Sequence, residues 1–513
     1  MKKILFSLLI TFLSFNLAIA QMKTTHRIEI PLKDGYTEEQ TFYFGKNGLV
    51  QTSRTEKASN GERKFRFTVY DASLREKSTQ EFNYPKKMNV FRVVQNQENI
   101  HVLLINGITR PEFILLTFNL PTEKIADVSG TFIEKFKIGY SNMLMSSLNK
   151  HNMLANGSNV YIAGAVKKVP TVCIIDAKSG DVSDFDMAVE NVKPKKVKIM
   201  SGEVLPESNE IVYYIAHDYH TRVAQVIAKV YTAEGKLKNS IVINENGEKK
   251  ISMIRGVNLG ENQYAFTGAY GANYFPESTV GICYFRAEND NIKVSKYYNY
   301  LDFENYLKYL PEYVQNRINK KKDRKESRGK ELEFTTGSIF HPLQICDDGI
   351  ILLTECYYPT YRTQTTYSNG KAISTTVFDG YQYTHGVLVK ILDDGNVAWD
   401  NIFALAPQTK PIYPRTFITV NQDISEDITM VYSTGLNIYR KSFNLGGTVR
   451  STDEKIIDVT EKDGDKVKYS FSNVEFWYDN YFLMSGYQKI KNAERDENGK
   501  KVREVLFMNK LEF

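Results

Sequence analysis

The feature that most constrains this chain is a recurring hairpin, made of an apolar strand, a polar turn and a second alternating strand. Seven copies begin at Phe65, Phe113, Thr171, Val226, Val280, Gly386 and Asn437. Another hairpin precedes each copy, so a repeat of about fifty residues holds four strands, which is typical of a β-propeller blade. No long helical periodicity separates the strands, and this disfavours a parallel sheet built from βαβ units.

The two ends of the chain predict how such a ring is completed. The last residues, from Val505 to Phe513, resemble the first strand of an eighth copy without its partner, and the strand from His26 to Leu32 is spare. The sequence therefore predicts an all-β fold: a single closed β-propeller of eight four-stranded blades, the last completed by the N-terminal strand. Closure removes an exposed sheet edge. Seven blades, or two stacked smaller β domains, are the alternatives.

Asn-Gly dipeptides mark many of the expected turns. They begin at Asn47, Asn60, Asn106, Asn156, Asn246, Asn369 and Asn498. A type I′ turn needs positive φ at both central residues, and Asn-Gly meets that need best. We therefore expect type I′ hairpins at these positions.

Residues 302–334 break the pattern between blades five and six and predict a small helical insertion within the propeller. Asp302 can cap a short helix, and Pro311 suits the first turn of a second helix because its missing N–H costs nothing there. From Arg317 to Lys330 eight basic residues stand against two acidic ones. A solvated helix face is the favoured interpretation of this run, and contact with an anionic surface is the alternative.

Residues 1–20 have the pattern of a secretory signal peptide, leaving residues 21–513 as the propeller. Lys2 and Lys3 precede an apolar run, and the segment Ala18 to Ala20 supplies the small–x–small cleavage pattern. We expect an exported protein in the periplasm, associated with the outer membrane, or extracellular. No transmembrane segment is expected after cleavage, because no other apolar run reaches spanning length.

Charge and cysteine content exclude several classes of partner and cofactor. The formal net charge is +6, and outside the signal segment and the basic run the chain is slightly acidic, so no nucleic-acid partner is expected. Four cysteines stand at Cys173, Cys283, Cys346 and Cys356. Their positions favour buried free thiols over disulfides, and no zinc-site spacing occurs. The sequence predicts no metal and no cofactor.

Long loops predict a ligand-binding face. In a propeller the connections between second and third strands share one face with the connections between blades, and blades four to six and the insertion all place long segments there. Tyr rings offer flat apolar area and a hydroxyl for binding sugars or peptides. The predicted ligand-binding residues are His217, Asp218, His220, Tyr270, Tyr274, Tyr357, Tyr358, Tyr361, Arg362, Asp379 and His385. The alternative is that these aromatic residues pack the loops against the insertion.

No catalytic residue is assigned. The sequence contains no G-x-S-x-G, H-E-x-x-H, P-loop or dinucleotide-binding motif in the required context. A glycoside hydrolase needs a pair of carboxylates. Glu355, Asp379 and Asp218 are the candidates for such a pair. His217 and His220 have a two-ligand metal spacing without an evident third ligand. The sequence does not favour an enzyme.

Blade six carries a resemblance to a known group of proteins. The segments Glu355 to Arg362, Asp379 to His385 and Asp393 to Asp400, together with the basic insertion, resemble uncharacterised exported β-propeller-like proteins of Gram-negative bacteria. The resemblance implies fold and location and supplies no catalytic residue. The segment Gly395 to Trp399 is also similar to the repeats of quinone-binding propellers, but it occurs once rather than in every blade.

Three functions remain open from the sequence. The first is an extracytoplasmic binding or scaffold propeller whose ligand is a glycan, a peptide or a protein. The second is a hydrolase or lyase that acts on a polysaccharide. The third is a structural subunit of an envelope assembly that docks through the insertion. The ligand and the oligomeric state are not determined by the sequence.

Overall fold

The structure is a computed structural model of the chain. It describes residues 22–32, 36–107, 112–138, 153–217, 224–244, 247, 249–272, 276–368, 371–422, 424, 427–457, 459–495 and 499–513. The expected signal peptide, residues 1–20, lies outside this part of the chain.

The described residues form eight antiparallel sheets, numbered here by the position of their first strand in the chain. Sheet 1 contains β2 (Tyr36–Tyr43), β3 (Leu49–Thr55), β4 (Glu62–Tyr70) and β5 (Glu76–Pro85). Sheet 2 contains β6 (Asn89–Gln95), β7 (Asn99–Asn106), β8 (Glu112–Asn119) and β9 (Lys124–Thr131). Sheet 3 contains β10 (Phe136–Ile138), β11 (Met153–Asn156), β12 (Asn159–Val166), β13 (Val169–Asp176) and β14 (Val182–Asp186). Sheet 4 contains β15 (Val197–Leu205), β16 (Glu210–His217), β17 (Gln225–Tyr231) and β18 (Leu237–Val242).

The second half of the chain continues in the same way. Sheet 5 contains β19 (Lys250–Gly260), β20 (Gln263–Gly271), β21 (Thr279–Glu288) and β22 (Asn291–Asn299). Sheet 6 contains β23 (Gly337–Phe340), β24 (Gln344–Cys346), β25 (Gly349–Ser368), β26 (Lys371–Leu392) and β27 (Val397–Ala404). Sheet 7 contains β28 (Thr419–Val420), β29 (Asp427–Thr434), β30 (Asn437–Asn444) and β31 (Val449–Ile456). Sheet 8 contains β32 (Lys466–Tyr478), β33 (Tyr481–Lys491), β34 (Val502–Glu512) and β1 (Lys23–Pro31).

Every sheet has four strand positions in simple up-and-down order. In sheets 3 and 6 the first position is split into two short strands that pair with the same second strand. The seven hairpins recognised in the sequence are the third and fourth strands of sheets 1 to 7. This repeated four-stranded organisation is that of β-propeller blades.

The two ends of the chain meet in sheet 8. β1 pairs antiparallel with β34, as the sequence predicted. The carboxylate of Glu29 on β1 accepts hydrogen bonds from Arg27 and Arg503, and its side chain is 3% exposed. These two guanidinium groups outweigh the effect of burial, which alone would raise the pKa of Glu29, so that its pKa is lowered.

Buried side chains link each sheet to the next along the chain. Sheets 1 and 2, for example, share the stacked rings of Phe67 and Phe118, whose centroids are 4.9 Å apart. Sheet 8 also packs on sheet 1, where Leu49 and Tyr70 meet Leu483 and Trp477. The Trp477 indole N–H donates to the carbonyl of Gly48 at 3.3 Å. The order of contacts therefore returns from the last sheet to the first.

The insertion between sheets 5 and 6 differs in detail from the expectation. Two 3₁₀ turns, Tyr300–Asp302 and Tyr306–Tyr309, stand where one short helix was predicted, and Asn299 caps the first of them. The α-helix α1 (Glu312–Glu326) then begins directly after Pro311. No helix in the described ranges is long and apolar enough to cross a membrane.

The turns confirm part of the Asn-Gly prediction. Asn60 and Gly61 both have positive φ, as a type I′ turn requires. At Asn156 the prediction is wrong: Asn156 pairs with Asn159, and in the two-residue loop between them only Gly157 has positive φ. Glycine at the first central position is the pattern of a type II′ turn, which satisfies the strand twist equally well.

All four cysteines are free thiols, and three of them are buried. Cys173 and Cys283 lie on the third strands of sheets 3 and 5, which are not neighbours. Burial raises the pKa of both thiols to about 12, which makes them poor nucleophiles.

Candidate binding site

The first strands of five sheets surround a cavity of about 1290 Å³, which we call the inner-strand cavity. Its wall is mostly polar and rich in side-chain amides. The lining includes Gln40, Arg92, Gln95, Asn96, Asn99, Asn156, Glu203, Asn209, Arg415, Asn473, Glu475 and Ser485. The volume exceeds the few hundred to about 1000 Å³ that suits a drug-sized ligand. An oligomeric polar ligand would fit such a space.

The cavity opens at the end of the sheets where first and second strands connect. Side-chain amides join these turns between neighbouring sheets. Gln95 donates to the carbonyl of Tyr43 at 2.7 Å, and Asn96 donates to the carbonyl of Gly157 at 2.7 Å. Asn156 donates to the carbonyl of Asn209 at 2.6 Å. The turns of sheets 1 to 4 therefore form one continuous rim.

Glu203 gives the cavity a carboxylate that is already committed to the fold. Its oxygens accept hydrogen bonds from the Arg255 guanidinium at 3.0 Å, the Tyr214 hydroxyl at 2.7 Å and the Gly256 amide at 2.8 Å. Three donors on one carboxylate hold its side chain in a fixed orientation. Glu203 therefore links sheets 4 and 5 and shapes the wall.

Arg415 and Glu475 place opposite charges on another part of the wall. The Arg415 guanidinium lies 4.5 Å from the ring centroid of Phe417, and its Nε has no hydrogen-bond partner among the described residues. Burial lowers the pKa of Arg415. Glu475 accepts a hydrogen bond from the Asn473 amide at 2.8 Å. A ligand oxygen would satisfy the Arg415 donor at low cost, because that donor is already desolvated.

A second cavity of about 1660 Å³ adjoins the first on the side of sheets 6 to 8. Tyr43, Gln95, Pro206 and Glu475 line both cavities, so the two are lobes of one opening. Burial, together with the charge of Glu475, raises the pKa of Tyr43 well above its usual range, so its hydroxyl stays protonated.

Glu355, the carboxylate considered from the sequence for hydrolysis, is fully buried beside the second cavity. It accepts hydrogen bonds from the backbone amides of Phe417 and Ile418, each at 2.9 Å, and from His341 Nε2 at 2.8 Å. These contacts attach the start of sheet 7 to sheet 6. Glu355 therefore acts as a structural acceptor, and its own carboxylate is not available for the pairing that hydrolysis would need.

Three of the predicted ligand-binding residues lie in the core. Tyr357 and His385 are 0% exposed and Tyr270 is 3% exposed. The ring of Tyr357 packs against Tyr383, with centroids 5.2 Å apart, and its hydroxyl has no hydrogen-bond partner in the described part of the chain. These side chains do not reach solvent, so a ligand could contact them only if the surrounding loops moved.

His385 is covered by the insertion. The Tyr309 ring stacks on the imidazole at 4.0 Å between centroids, and Tyr306 meets it edge-on at 4.9 Å. His385 Nδ1 lies 2.9 Å from the Thr384 hydroxyl. Burial lowers the pKa of His385 to about 3, so the imidazole is neutral. At this point the aromatic residues pack the insertion onto sheet 6.

Other predicted residues are exposed on a hairpin that extends beyond sheet 6. Tyr358 and Tyr361 are 48% and 62% exposed, and Tyr361 meets Phe378 across the hairpin. Asp379 pairs with Arg362 at 3.5 Å and with Lys410 at 3.2 Å. The extension arises because β25 and β26 have 20 and 22 residues.

The remaining predicted residues belong to the connections between the second and third strands of sheet 4 and of sheet 5. His217 ends β16, where its Nε2 lies 2.9 Å from the Gln225 amide oxygen. Asp218, His220 and Tyr274 lie outside the described residues. Across the described ranges, no three His, Cys, Asp or Glu side chains are grouped as metal ligands.

The inner-strand cavity was not identified from the sequence. Its residues come from short segments of strands and turns that are scattered along the chain from Gln40 to Ser485. The available signal was a polar residue at an inward position of a first strand, as at Arg92, Glu203 and Glu475. The cavity rim and the hairpin extension lie at opposite ends of the sheets, since consecutive turns of an antiparallel sheet alternate between its ends.

Comparison with known proteins yields distant structural similarities. No family model and no curated protein matches the sequence. The polysaccharide lyase Uly1 is 10% identical, with a TM-score of 0.38 over 96% of this chain and 99% of that one. The WD40 domain of SCAP from fission yeast is 8% identical, with a TM-score of 0.42 over 95% and 98%. The β-propeller domain of the trilobed protease from Pyrococcus furiosus is 12% identical, with a TM-score of 0.32 over 86% and 100%.

Proposed function

We propose that this protein is an extracytoplasmic binding propeller that holds a hydroxyl-rich ligand, a glycan chain, in the inner-strand cavity. The observation that carries the proposal is the cavity itself, because its wall combines amide side chains, a buried guanidinium with an unused donor, and a volume suited to several sugar units. Amides offer both donors and acceptors, which match the hydroxyl groups of sugars. The expected signal peptide at residues 1–20 supports the extracytoplasmic location.

We further propose that the eight sheets form one closed ring, which makes the cavity axial. The pairing of β1 with β34 and the contact of sheet 8 with sheet 1 support closure. Replacing Glu29, which joins the chain ends, with Ala should lower the free energy of unfolding by about 3 kcal/mol or more, because two guanidinium groups lose their buried partner. Glu81→Ala, at a partly exposed ion pair with Lys64 and Arg66, should cost about 1 kcal/mol or less. Equal costs in chemical denaturation would contradict closure through the chain ends.

The binding proposal is tested by thermal-shift screening against neutral and acidic oligosaccharides, with peptides as a comparison. A bound ligand stabilises the native state by mass action, so a glycan at a hundredfold excess over its Kd should add about 2.7 kcal/mol. Gln40→Ala and Asn473→Ala remove cavity amides and should weaken the shift. Gln364→Ala, the same type of change on the exposed hairpin, should leave it unchanged.

Three results would contradict the proposal. A shift lost in Gln364→Ala and kept in the cavity variants would place the ligand on the hairpin. A shift with peptides alone would assign a different ligand. Release of new reducing ends from an oligosaccharide would replace binding with the polysaccharide-cleaving alternative.

A further inference from the structure

The basic run of the insertion forms one stripe along α1. Arg317, Lys320, Lys321 and Arg324 are spaced i, i+3, i+4 and i+7, so they share a helix face. All four are exposed, and none of their charged side-chain groups has an ion-pair or hydrogen-bond partner among the described residues. Successive turns place these cations about 5.4 Å apart along the helix axis.

Contacts on the rest of α1 and beside it fix the orientation of the stripe. Lys322 donates to the carbonyl of Leu301 at 2.7 Å and pairs with Asp302 at 3.1 Å. Gln315 donates to the carbonyl of Leu310 at 2.7 Å, and Ile318 packs on the large hydrophobic core. The helix is therefore attached to the protein body, and the stripe is held in place without using its charges.

The stripe forms one wall of a groove of about 550 Å³. Leu332, Glu333 and Phe334 lie on the other side, so four cations stand against one carboxylate. Asn299 holds that second wall by donating to the carbonyl of Leu332 at 2.9 Å and to Glu331 at 2.8 Å. The groove is therefore positively charged and has apolar side chains in its lining.

Helix stability accounts for only one of the four charges in the stripe, that of Arg324. Arg324 and Lys325 lie in the last turn, where cations interact favourably with the helix dipole. The other three cations lie before the last turn. Arg317 and Lys321 are like charges at i, i+4 spacing, and Lys320 and Arg324 form a second such pair. Each such pair destabilises a helix by a few tenths of a kcal/mol. An anionic ligand would remove this repulsion.

We propose that the groove beside α1 binds a linear acidic polysaccharide, carboxylated or sulfated. A single chain can enter the groove and contact Phe334, whereas a flat lipid surface reaches only the rim. A helix that inserts into a membrane needs an exposed apolar face, and Tyr313 is the one large hydrophobic side chain that α1 exposes. An acidic peptide would find few backbone partners, because a helix uses its own amides and carbonyls. The proposal is independent of the ligand in the inner-strand cavity.

The test measures affinity for heparin and for polygalacturonate across a range of NaCl concentrations. The triple variant Lys320→Gln/Lys321→Gln/Arg324→Gln should bind at least about tenfold more weakly, because three ion pairs of modest strength are lost. Its matched control, Arg75→Gln/Lys193→Gln/Lys195→Gln, changes the same charge at exposed sites elsewhere. The control should bind within about twofold of the unmodified protein, and affinity should fall as salt rises.

Three outcomes would overturn the proposal. The first is no binding of either polysaccharide by the unmodified protein. The second is an equal loss of affinity in both triple variants, which would show attraction to net charge alone. The third is tighter binding to polyglutamate or to phosphatidylglycerol vesicles than to either polysaccharide, provided that the triple variant of the stripe no longer shows that tighter binding. Gln40→Ala and Asn473→Ala should leave this binding unchanged, which separates it from the proposed cavity site.

Discussion

The inner-strand cavity and the aromatic face of sheet 6 use their side chains in opposite ways. In the cavity, polar residues from five sheets converge on open space, and Arg415 keeps a donor without a described partner. On the aromatic face, Tyr357, Tyr383 and His385 pack against one another or against the insertion. Tyrosine-rich loops thus indicate a binding surface only where no second element covers them.

β25 contains both situations within five residues. Tyr357 packs against Tyr381 and Tyr383 of the same sheet and is 0% exposed, whereas Tyr361 lies on the hairpin extension and is 62% exposed. β25 and β26 extend beyond the other strands of sheet 6. An aromatic residue on β25 therefore packs in the core where the sheet is complete and faces solvent where only the hairpin continues.

The largest expected effect separates these two tyrosines. Tyr357→Ala should lower the free energy of unfolding by about 3 to 5 kcal/mol, because it opens a cavity in the core. Tyr361→Ala should change it by about 0.5 kcal/mol or less. Chemical denaturation of the two variants makes the comparison. Similar costs at both positions would show that the hairpin extension also packs against other parts of the fold.

A second substitution at Tyr357 tests whether its ring alone, without its hydroxyl, stabilises the core. Because this hydroxyl is buried without a described partner, Tyr357→Phe should be neutral or slightly stabilising. A loss above about 1 kcal/mol would indicate a hydrogen bond that the structure does not contain.

A smaller effect concerns pH. Burial lowers the pKa of His385 to about 3 and that of His101 to about 4, whereas an unfolded histidine titrates near 6.5. The unfolded chain therefore binds protons first, and stability should fall as pH drops below 6.5 towards these values. Each histidine contributes at most about 1.4 kcal/mol per pH unit.

Between pH 6.5 and 5.5 carboxylates contribute little, so the protons that these two buried histidines take up on unfolding add to the slope. His385→Gln should reduce the slope, and His101→Gln should reduce it by a similar amount. Urea denaturation at several pH values measures these slopes. An unchanged slope in His385→Gln would mean that the insertion does not exclude water from His385.

The sequence predicted the repeated elements well, because hairpins depend on local patterns. The seven hairpins and the spare strand that became β1 follow from alternation and turn residues near one another in the chain. The candidate site was harder to predict. His385 was predicted to contact a ligand, yet it is buried beneath Tyr309, which lies 76 positions earlier. The cavity joins Gln40 to Glu475, and strand alternation alone does not specify which sheets face each other.

Amide hydrogen exchange with the glycan that gives the largest thermal shift tests the central claim most directly. If the ligand occupies the inner-strand cavity, exchange should slow at the rim, in residues 95–99, 156–158 and 206–209. The hairpin extension, residues 361–368 and 371–380, should exchange as it does without ligand. Slowed exchange in the hairpin together with an unchanged rim would contradict the account and place binding on the hairpin extension.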